Sequence, residues 1–226
     1  MLMHIPQILS TEEVRAMRQQ LQASEDWVDG RATVGVQGAE VKRNLQLAQD
    51  APLREQCGRQ VLAALARSAF FHAAALPLRI LPPRFNRYHG GGTYGMHIDG
   101  SVMALGNGEQ LRSDLSCTLF LVDPQDYDGG ELVVSDTYGE HEVKLPAGDL
   151  ILYPASSLHC VRPVTRGERV ASFFWVQSMV RDAEQRRTLL EMDTAITRLM
   201  ETGADRQSVV QLTGTYHNLL RMWAQT

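Results

Sequence analysis

The stretch "PRFNRYHGGGTYGMHID", residues 83–99, decides how the rest of the chain is read. It holds two short runs around Gly90, Gly91 and Gly92, and ends on a histidine and an aspartate two apart. Side chains along an extended strand alternate between faces. His97 and Asp99 are therefore expected on one face and Ile98 on the other. Two good donors converging on one point suggest a metal. The pair by itself is a weak signal, because a histidine and an aspartate also form ordinary hydrogen-bonded loops. The "HGGG" at 89–92 is followed by no helix and completed by no lysine, so it does not read as a phosphate loop. It reads as a flexible loop beside a pocket, its glycines permitting positive φ.

Working outward, this stretch is the first of a series. Pro77, Pro82 and Pro83 break any helix. "LSCTLFLV", "GGELVVSD", "HEVKL", "GDLILYP", "HCVRPV" and "ERVASFFWVQSMV" then alternate with turn signals. Short strands at near-regular spacing indicate an antiparallel barrel or sandwich from about residue 78 to 178. Upstream, Ser10 with Glu13 three residues later is a capping-box pattern, followed by Val14, Met17 and Leu21 at helical spacing. Residues 27–47 read as a glycine-punctuated hairpin or loop. Residues 51–75 read as one long helix with Pro52 in its first turn and Leu53, Val61, Leu62, Leu65 and Phe70 on its apolar face. Downstream, 182–200 and 207–225 read as amphipathic helices separated by "ETGAD". The expected division is a helical support region over 1–77, a β domain over 78–178 and a helical extension over 179–226. Leu219, Leu220, Met222 and Trp223 form a stripe expected to serve as a packing or subunit contact face, so a homodimer is a candidate assembly.

Composition narrows the function. With 226 residues, 44% hydrophobic and 21% charged, the chain reads as a soluble globular protein. A net charge of -4 argues against a nucleic-acid surface built on bulk positive charge. No apolar stretch approaches the roughly 20 residues of a membrane span. Cys57, Cys117 and Cys160 show no CxxC spacing and fit free thiols in a reducing compartment. "MLMHIPQILS" lacks the basic lead and apolar length of a signal peptide, so the expected location is cytoplasmic. Cys117 and Cys160 are expected as buried thiols.

If His97 and Asp99 hold a metal, a third donor must come from elsewhere on the β scaffold. Of seven histidines, His4 and His217 are terminal, His72 sits in an expected helix, His89 abuts the glycines and His141 follows a turn. His159 begins a strand directly after "PASS" and is the best candidate. Two imidazoles and one carboxylate on one face suit a non-haem iron(II) with three positions left for a bidentate co-substrate and dioxygen. Arg169, ten residues later, enters the next strand. Pointing into a barrel, it needs an anionic partner, because a buried unpaired charge costs several kcal/mol. The guanidinium fork grips carboxylates at two points, and a dicarboxylate co-substrate would supply that partner.

"HID…H…R", with "GTY" ahead of it and "GGEL" between, resembles the iron(II)- and 2-oxoglutarate-dependent dioxygenases of the prolyl/lysyl hydroxylase type, and more closely the bacterial PKHD-type hydroxylases associated with iron uptake. The resemblance implies a double-stranded β-helix, or jelly-roll, within an α+β chain. It implies that His97, Asp99 and His159 ligate Fe(2+) and that Arg169 anchors the distal carboxylate of 2-oxoglutarate. Tyr88 resembles the tyrosine that hydrogen-bonds that co-substrate, and Trp175 a residue lining its pocket. The Gly129-Gly130-Glu131 turn resembles a structural feature without chemistry of its own. The presence of Asp99 is unlike the related halogenases. The implied activity is hydroxylation of a small-molecule or peptide substrate, linked to iron uptake and supported by L-ascorbate. A non-catalytic iron/2-oxoglutarate sensor fits the same ligands. A cupin-like enzyme without 2-oxoglutarate would leave Arg169 without a partner. "LRSD" at 111–114, after "ALGNGEQ", reads as part of a mobile 104–114 segment over the site.

Overall fold

The computed structural model describes residues 1–33, 36–105 and 108–226. In chain order its elements are β1 (Met3–Ile5), α1 (Thr11–Ala23), β2 (Trp27–Asp29), α2 (Val36–Val41), β3 (Lys42–Arg43), β4 (Leu45–Leu47), α3 (Pro52–Arg67), α4 (Ala69–Ala75), β5 (Pro77–Ile80), β6 (Arg84–His89), β7 (Thr93–His97), β8 (Val102–Ala104) and β9 (Gln110–Arg112). They continue with β10 (Leu115–Phe120), β11 (Asp128–Gly129), β12 (Leu132–Asp136), β13 (Gly139–Val143), β14 (Leu150–Pro154), β15 (Leu158–Val161), β16 (Val164–Arg166), β17 (Glu168–Ser178), α5 (Ala183–Glu201) and α6 (Arg206–Trp223).

Two antiparallel sheets carry the architecture. The larger runs β1-β14-β10-β17-β6-β4-β2, with β5 also paired to β17, and the smaller runs β13-β12-β15-β7-β3. β10 explains why the larger sheet lies between two layers. Each of its six residues is buried, so both of its faces are covered. Cys117 and Leu119 join the core that also contains Met17, Leu21, Val61, Leu65 and Phe71 from the helices. Ser116 and Thr118 line a cavity instead. β17 alternates in the same way: Val170, Phe174 and Val176 enter the core, while Arg169, Phe173 and Trp175 line the cavity. Each apolar side chain so buried contributes about 1.5–3 kcal/mol.

The capping box at Ser10 and Glu13 forms, and Val14, Met17 and Leu21 are the buried face of α1. The single helix expected over 51–75 is two helices. Ser68 takes an extended conformation, donates its backbone N–H to Leu65 and accepts from Phe71 through its hydroxyl. A serine that satisfies backbone groups locally competes with helix continuation. The break also changes the buried face: Phe71 is fully buried and Phe70 is 41% exposed. The segment 27–47 does contain a hairpin, β2 against β4. It also carries the unanticipated α2, and β3 joins the smaller sheet instead. The first 77 residues thus supply strands to both sheets as well as helices.

α5 and α6 start on Asp182 and Asp205, whose carboxylates accept from Gln185 and Ser208. Tyr216, Leu219, Leu220 and Trp223 pack against Leu76, Val180 and Leu189. Most of the C-terminal stripe is therefore a packing face of the same chain, and Met222 alone of the four is 69% exposed. Among the described residues no helix is long and apolar enough to cross a membrane.

Candidate active site

Strands β7 and β15 pair in the smaller sheet with His97 directly opposite His159. Their rings lie 4.2 Å apart between centroids. Asp99 is not in the strand with His97, as the alternation argument had it. β7 ends at His97, and the chain turns so that Asp99 reaches the same point from beyond the strand end. Its Oδ2 lies 3.8 Å from His159 Nε2. Ile98 is 59% exposed and lines the same cavity, where alternation had it on the opposite face. One donor atom from each of the three lies within 4.8 Å of the others. Donors bonded at about 2 Å to one ion at right angles sit about 3 Å apart, so small rotamer movements close this set on a metal.

Each imidazole is held by the same device. His97 Nδ1 is 2.8 Å from the Gly95 carbonyl, and His159 Nδ1 is 3.0 Å from that of Ser157. A carbonyl can only accept, so Nδ1 carries the proton and Nε2 offers its lone pair. Burial, then the neighbouring His159, lowers the pKa of His97 to about 4, against the smaller opposing pull of the Gly95 carbonyl and Asp99. His97 is thus neutral near neutral pH. Asp99 Oδ2 is buried with no hydrogen-bond partner. A buried unpaired oxygen beside two free imidazole nitrogens is a donor set that lacks its cation. Tyr94 stacks on His97 at 3.6 Å and Tyr153 meets His159 edge-on at 5.2 Å, fixing both rings.

These three residues open into a cavity of about 890 Å³ lined by both sheets. Arg169 on β17 sits opposite Tyr88 on β6. Its side chain is 1% exposed, and its guanidinium lies 5.4 Å from the Tyr88 ring centre and 5.2 Å from that of Phe120. Nε and Nη1 have no hydrogen-bond partner, and no ion pair to Arg169 forms among the described residues. Two aromatic faces soften such a burial, but the charge still lacks an anion. Burial raises the Tyr88 pKa, which keeps its phenol a neutral donor. Trp175 lines the cavity, and its Nε1 is also unpartnered.

The glycine turn read as purely structural shapes this pocket. Gly130 has φ +68°, and a Cβ there would lie 3.1 Å from Arg169 Cδ and 2.8 Å from Val164 Cγ2. The "HGGG" segment is pinned where a flexible loop was expected. Gly91 N–H donates to Val164 O at 2.8 Å, Val164 N–H to Gly92 O at 3.0 Å, and Arg43 to Gly91 O at 2.7 Å. It does not line the main cavity. Cys117 is buried, whereas Cys160 is only partly so. His4 and His141 pair with Asp149 and Asp136, away from the cavity. At the 104–114 segment β8 and β9 form a hairpin that brings Met103 to the cavity, and Gly106 and Asn107 lie outside the described residues. Sequence reading missed Lys42, Arg84, Tyr94 and Tyr153, all of which line the cavity. Strand alternation could have paired Arg84 with Tyr88, but nothing in the sequence brings Lys42 to this wall.

The 2OG-Fe(II) oxygenase superfamily matches residues 83–177, and the PKHD-type hydroxylase C-terminal domain matches residues 183–225. The chain is 66% identical to a PKHD-type hydroxylase of Stenotrophomonas maltophilia, over 100% of both chains. It is 58% identical to one of Xylella fastidiosa, again over 100% of both. A Pseudomonas putida prolyl-4-hydroxylase structure superposes with a TM-score of 0.53 at 22% identity, covering 78% of this chain and 92% of that one, and shares the fold. Matched over its full length to these relatives and over its β core to the superfamily, the chain belongs to the PKHD-type hydroxylases, a family of 2-oxoglutarate- and iron(II)-dependent oxygenases.

Proposed function

We propose that this hydroxylase holds iron(II) on His97, Asp99 and His159 and binds 2-oxoglutarate with its distal carboxylate on Arg169 and Tyr88. One observation carries the reading. A metal-type donor set with an unsatisfied carboxylate and a buried, unpaired arginine open into one cavity. When bound, iron(II) and 2-oxoglutarate supply oxidative chemistry in which dioxygen hydroxylates the substrate while 2-oxoglutarate becomes succinate and carbon dioxide. The protein's own residues do the positioning. Gly95 and Ser157 carbonyls aim both Nε2 atoms inward, and Arg169 grips a carboxylate at two points. The apolar cavity wall keeps water from the reacting carbon.

The substrate in this reading is a small molecule or a peptide side chain, and the physiological setting is iron uptake or homeostasis in the cytoplasm. Ascorbate restores ferrous iron after turnover without substrate. These statements rest on the family resemblance. The exposed Met200, Val210 and Met222 on the C-terminal helices support a subunit contact there.

The test is an anaerobic titration of iron(II)-loaded protein with 2-oxoglutarate, followed by admission of oxygen. A weak visible charge-transfer band should grow to one equivalent, and succinate should then form. No band would sink the reading of the site. A band without succinate, across a panel of candidate substrates, would instead indicate a binding-only sensor.

A further inference from the structure

The cavity has a second cationic end. On the paired strands β6 and β17, Tyr88 faces Arg169 at one end and Arg84 faces Phe173 at the other. Four residues along β17 separate those pairs, about 13 Å of strand. 2-Oxoglutarate has four carbon–carbon bonds and spans about 5 Å between its carboxyl carbons. Each guanidinium is also kept at its own end. That of Arg169 lies against Tyr88 and Phe120, and that of Arg84 lies 5.5 Å from the ring centre of Trp175, two residues further from Arg169. One co-substrate molecule does not satisfy both.

The Arg84 side chain makes no hydrogen bond or ion pair among the described residues. Burial, then the like charge of Arg54, lowers its pKa. Across the cavity, Lys42 comes from β3, opposite Tyr94 in register. It is 3% exposed, with Nζ bonded to Thr33 Oγ1 at 3.1 Å and 4.9 Å from the Tyr94 ring centre. No carboxylate lies within ion-pair distance of it among the described residues. Burial, then the Arg84 charge, brings its pKa down to about 8, against the weaker pull of Asp29 and Asp99. Trp175 Nε1, also on this wall, is a buried donor without an acceptor. Two mutually repelling cations and an indole N–H therefore converge on space that no protein anion fills. Phe173 and Met103 give this cavity apolar lining, and Gln46 and Asn86, paired across β4 and β6, give it polar lining.

We propose that the substrate carries an acidic group that docks between Lys42 and Arg84, with its hydrocarbon or aromatic arm along Phe173 and Trp175. A buried lysine and a partly buried arginine, neither with an anionic partner among the described residues, favour an oxyanion, which forms charge-assisted hydrogen bonds to both. Tyr94 stacks on His97 beside Lys42, so a molecule held here lies next to the metal ligands. The proposal rests on the reading that Arg169 holds the co-substrate.

The test uses the full chain loaded with manganese(II) and 2-oxoglutarate without oxygen, and calorimetric titration with two matched probe sets. One is 4-phenylbutyrate, its amide and its amine. The other is acetyl-Ala-Glu-Ala-amide and its glutamine twin, which separates a free acid from an acidic peptide side chain. In the wild type the acid of at least one set should bind about tenfold or more tighter than its neutral twin. Arg84→Met and Lys42→Met should each bring that ratio toward one, and Arg84→Glu should shift preference to the amine. Titration of each variant with 2-oxoglutarate checks that the site is still folded. If neither acid is preferred over its neutral twin in the wild type, including by failure of both to bind at millimolar concentration, the proposal is overturned. It is also overturned if the preference survives both methionine variants. If Arg84→Met abolishes 2-oxoglutarate binding while Arg169→Met leaves it intact, the co-substrate anchor has been misassigned and both readings fall. Loss of acid preference with co-substrate binding intact affects this inference alone.

Discussion

Replacing Arg169 by methionine should move two quantities in opposite directions. The side chain is 1% exposed with Nε and Nη1 unpartnered. Methionine keeps most of its hydrocarbon volume and removes the charge. Replacing buried charge with apolar volume is commonly stabilising by about 1–4 kcal/mol. Loss of the contacts with Tyr88 and Phe120 offsets about 1–2 kcal/mol of that. The midpoints leave a net gain of about 1 kcal/mol, which raises the melting temperature by roughly 2–4 °C for a chain of this size. Binding goes the other way. Removing one partner of a desolvated, two-point charge pair costs about 3–5 kcal/mol, so 2-oxoglutarate affinity should fall by roughly two to nearly four orders of magnitude. Wild-type protein at about 100 times the dissociation constant gains about 2.7 kcal/mol from the ligand, and the variant should gain almost none. Thermal unfolding of manganese-loaded protein, with and without 2-oxoglutarate, reads both effects. The variant should melt above the wild type without ligand and lose the ligand-induced rise. If it instead melts lower and keeps the full rise, Arg169 is a structural residue and the anchor argument is wrong.

Other outcomes follow from the same geometry. Asp99→Ala should abolish stoichiometric iron(II) binding by equilibrium dialysis. Asp99→Asn should not destabilise the metal-free fold, because the buried Oδ2 has no partner to lose. His97 has a pKa lowered from 6.5 to about 4 by burial, so as pH falls through 6.5 the unfolded chain takes up this proton before the native one does. Metal-free protein should therefore lose on the order of 3 kcal/mol between about pH 6.5 and 4 from this group, with the loss complete below that window. Urea unfolding should show His97→Gln without that part of the slope, and an unchanged slope would contradict the assigned burial. Gly130→Ala places a Cβ 3.1 Å from Arg169 Cδ at a positive φ. It should raise the KM for 2-oxoglutarate several-fold with little change in iron affinity, and a variant with the wild-type KM would show that the turn does not set the arginine's position.

The β core, and the four candidate residues that line its cavity, were legible because each left a local trace. His97 and Asp99 are two apart, His159 follows a turn, and Arg169 opens a strand after another. Alternation placed His97 correctly but gave Asp99 the wrong element, since β7 stops at His97 and the loop completes the donor set. The break at Ser68 was missed because a run of alanines and leucines on either side has strong helix propensity, which one capping hydroxyl overrides. Gly130 was read as a turn and nothing more, because its second role is to clear space for a side chain 39 positions away.

What the sequence by itself determined is what periodicity and chemical type encode: alternating strands, capped helices, and donor residues of a kind that suits iron. Tertiary structure alone decided that Lys42 and Arg84 look into the same cavity as the donor set, and that Arg169 is buried without an anion. The physical reason is range. Strand and helix patterns arise from neighbours a few residues apart, whereas a charge's partners are set by strands that meet across the sheets, and their absence is visible only once every neighbour is in place.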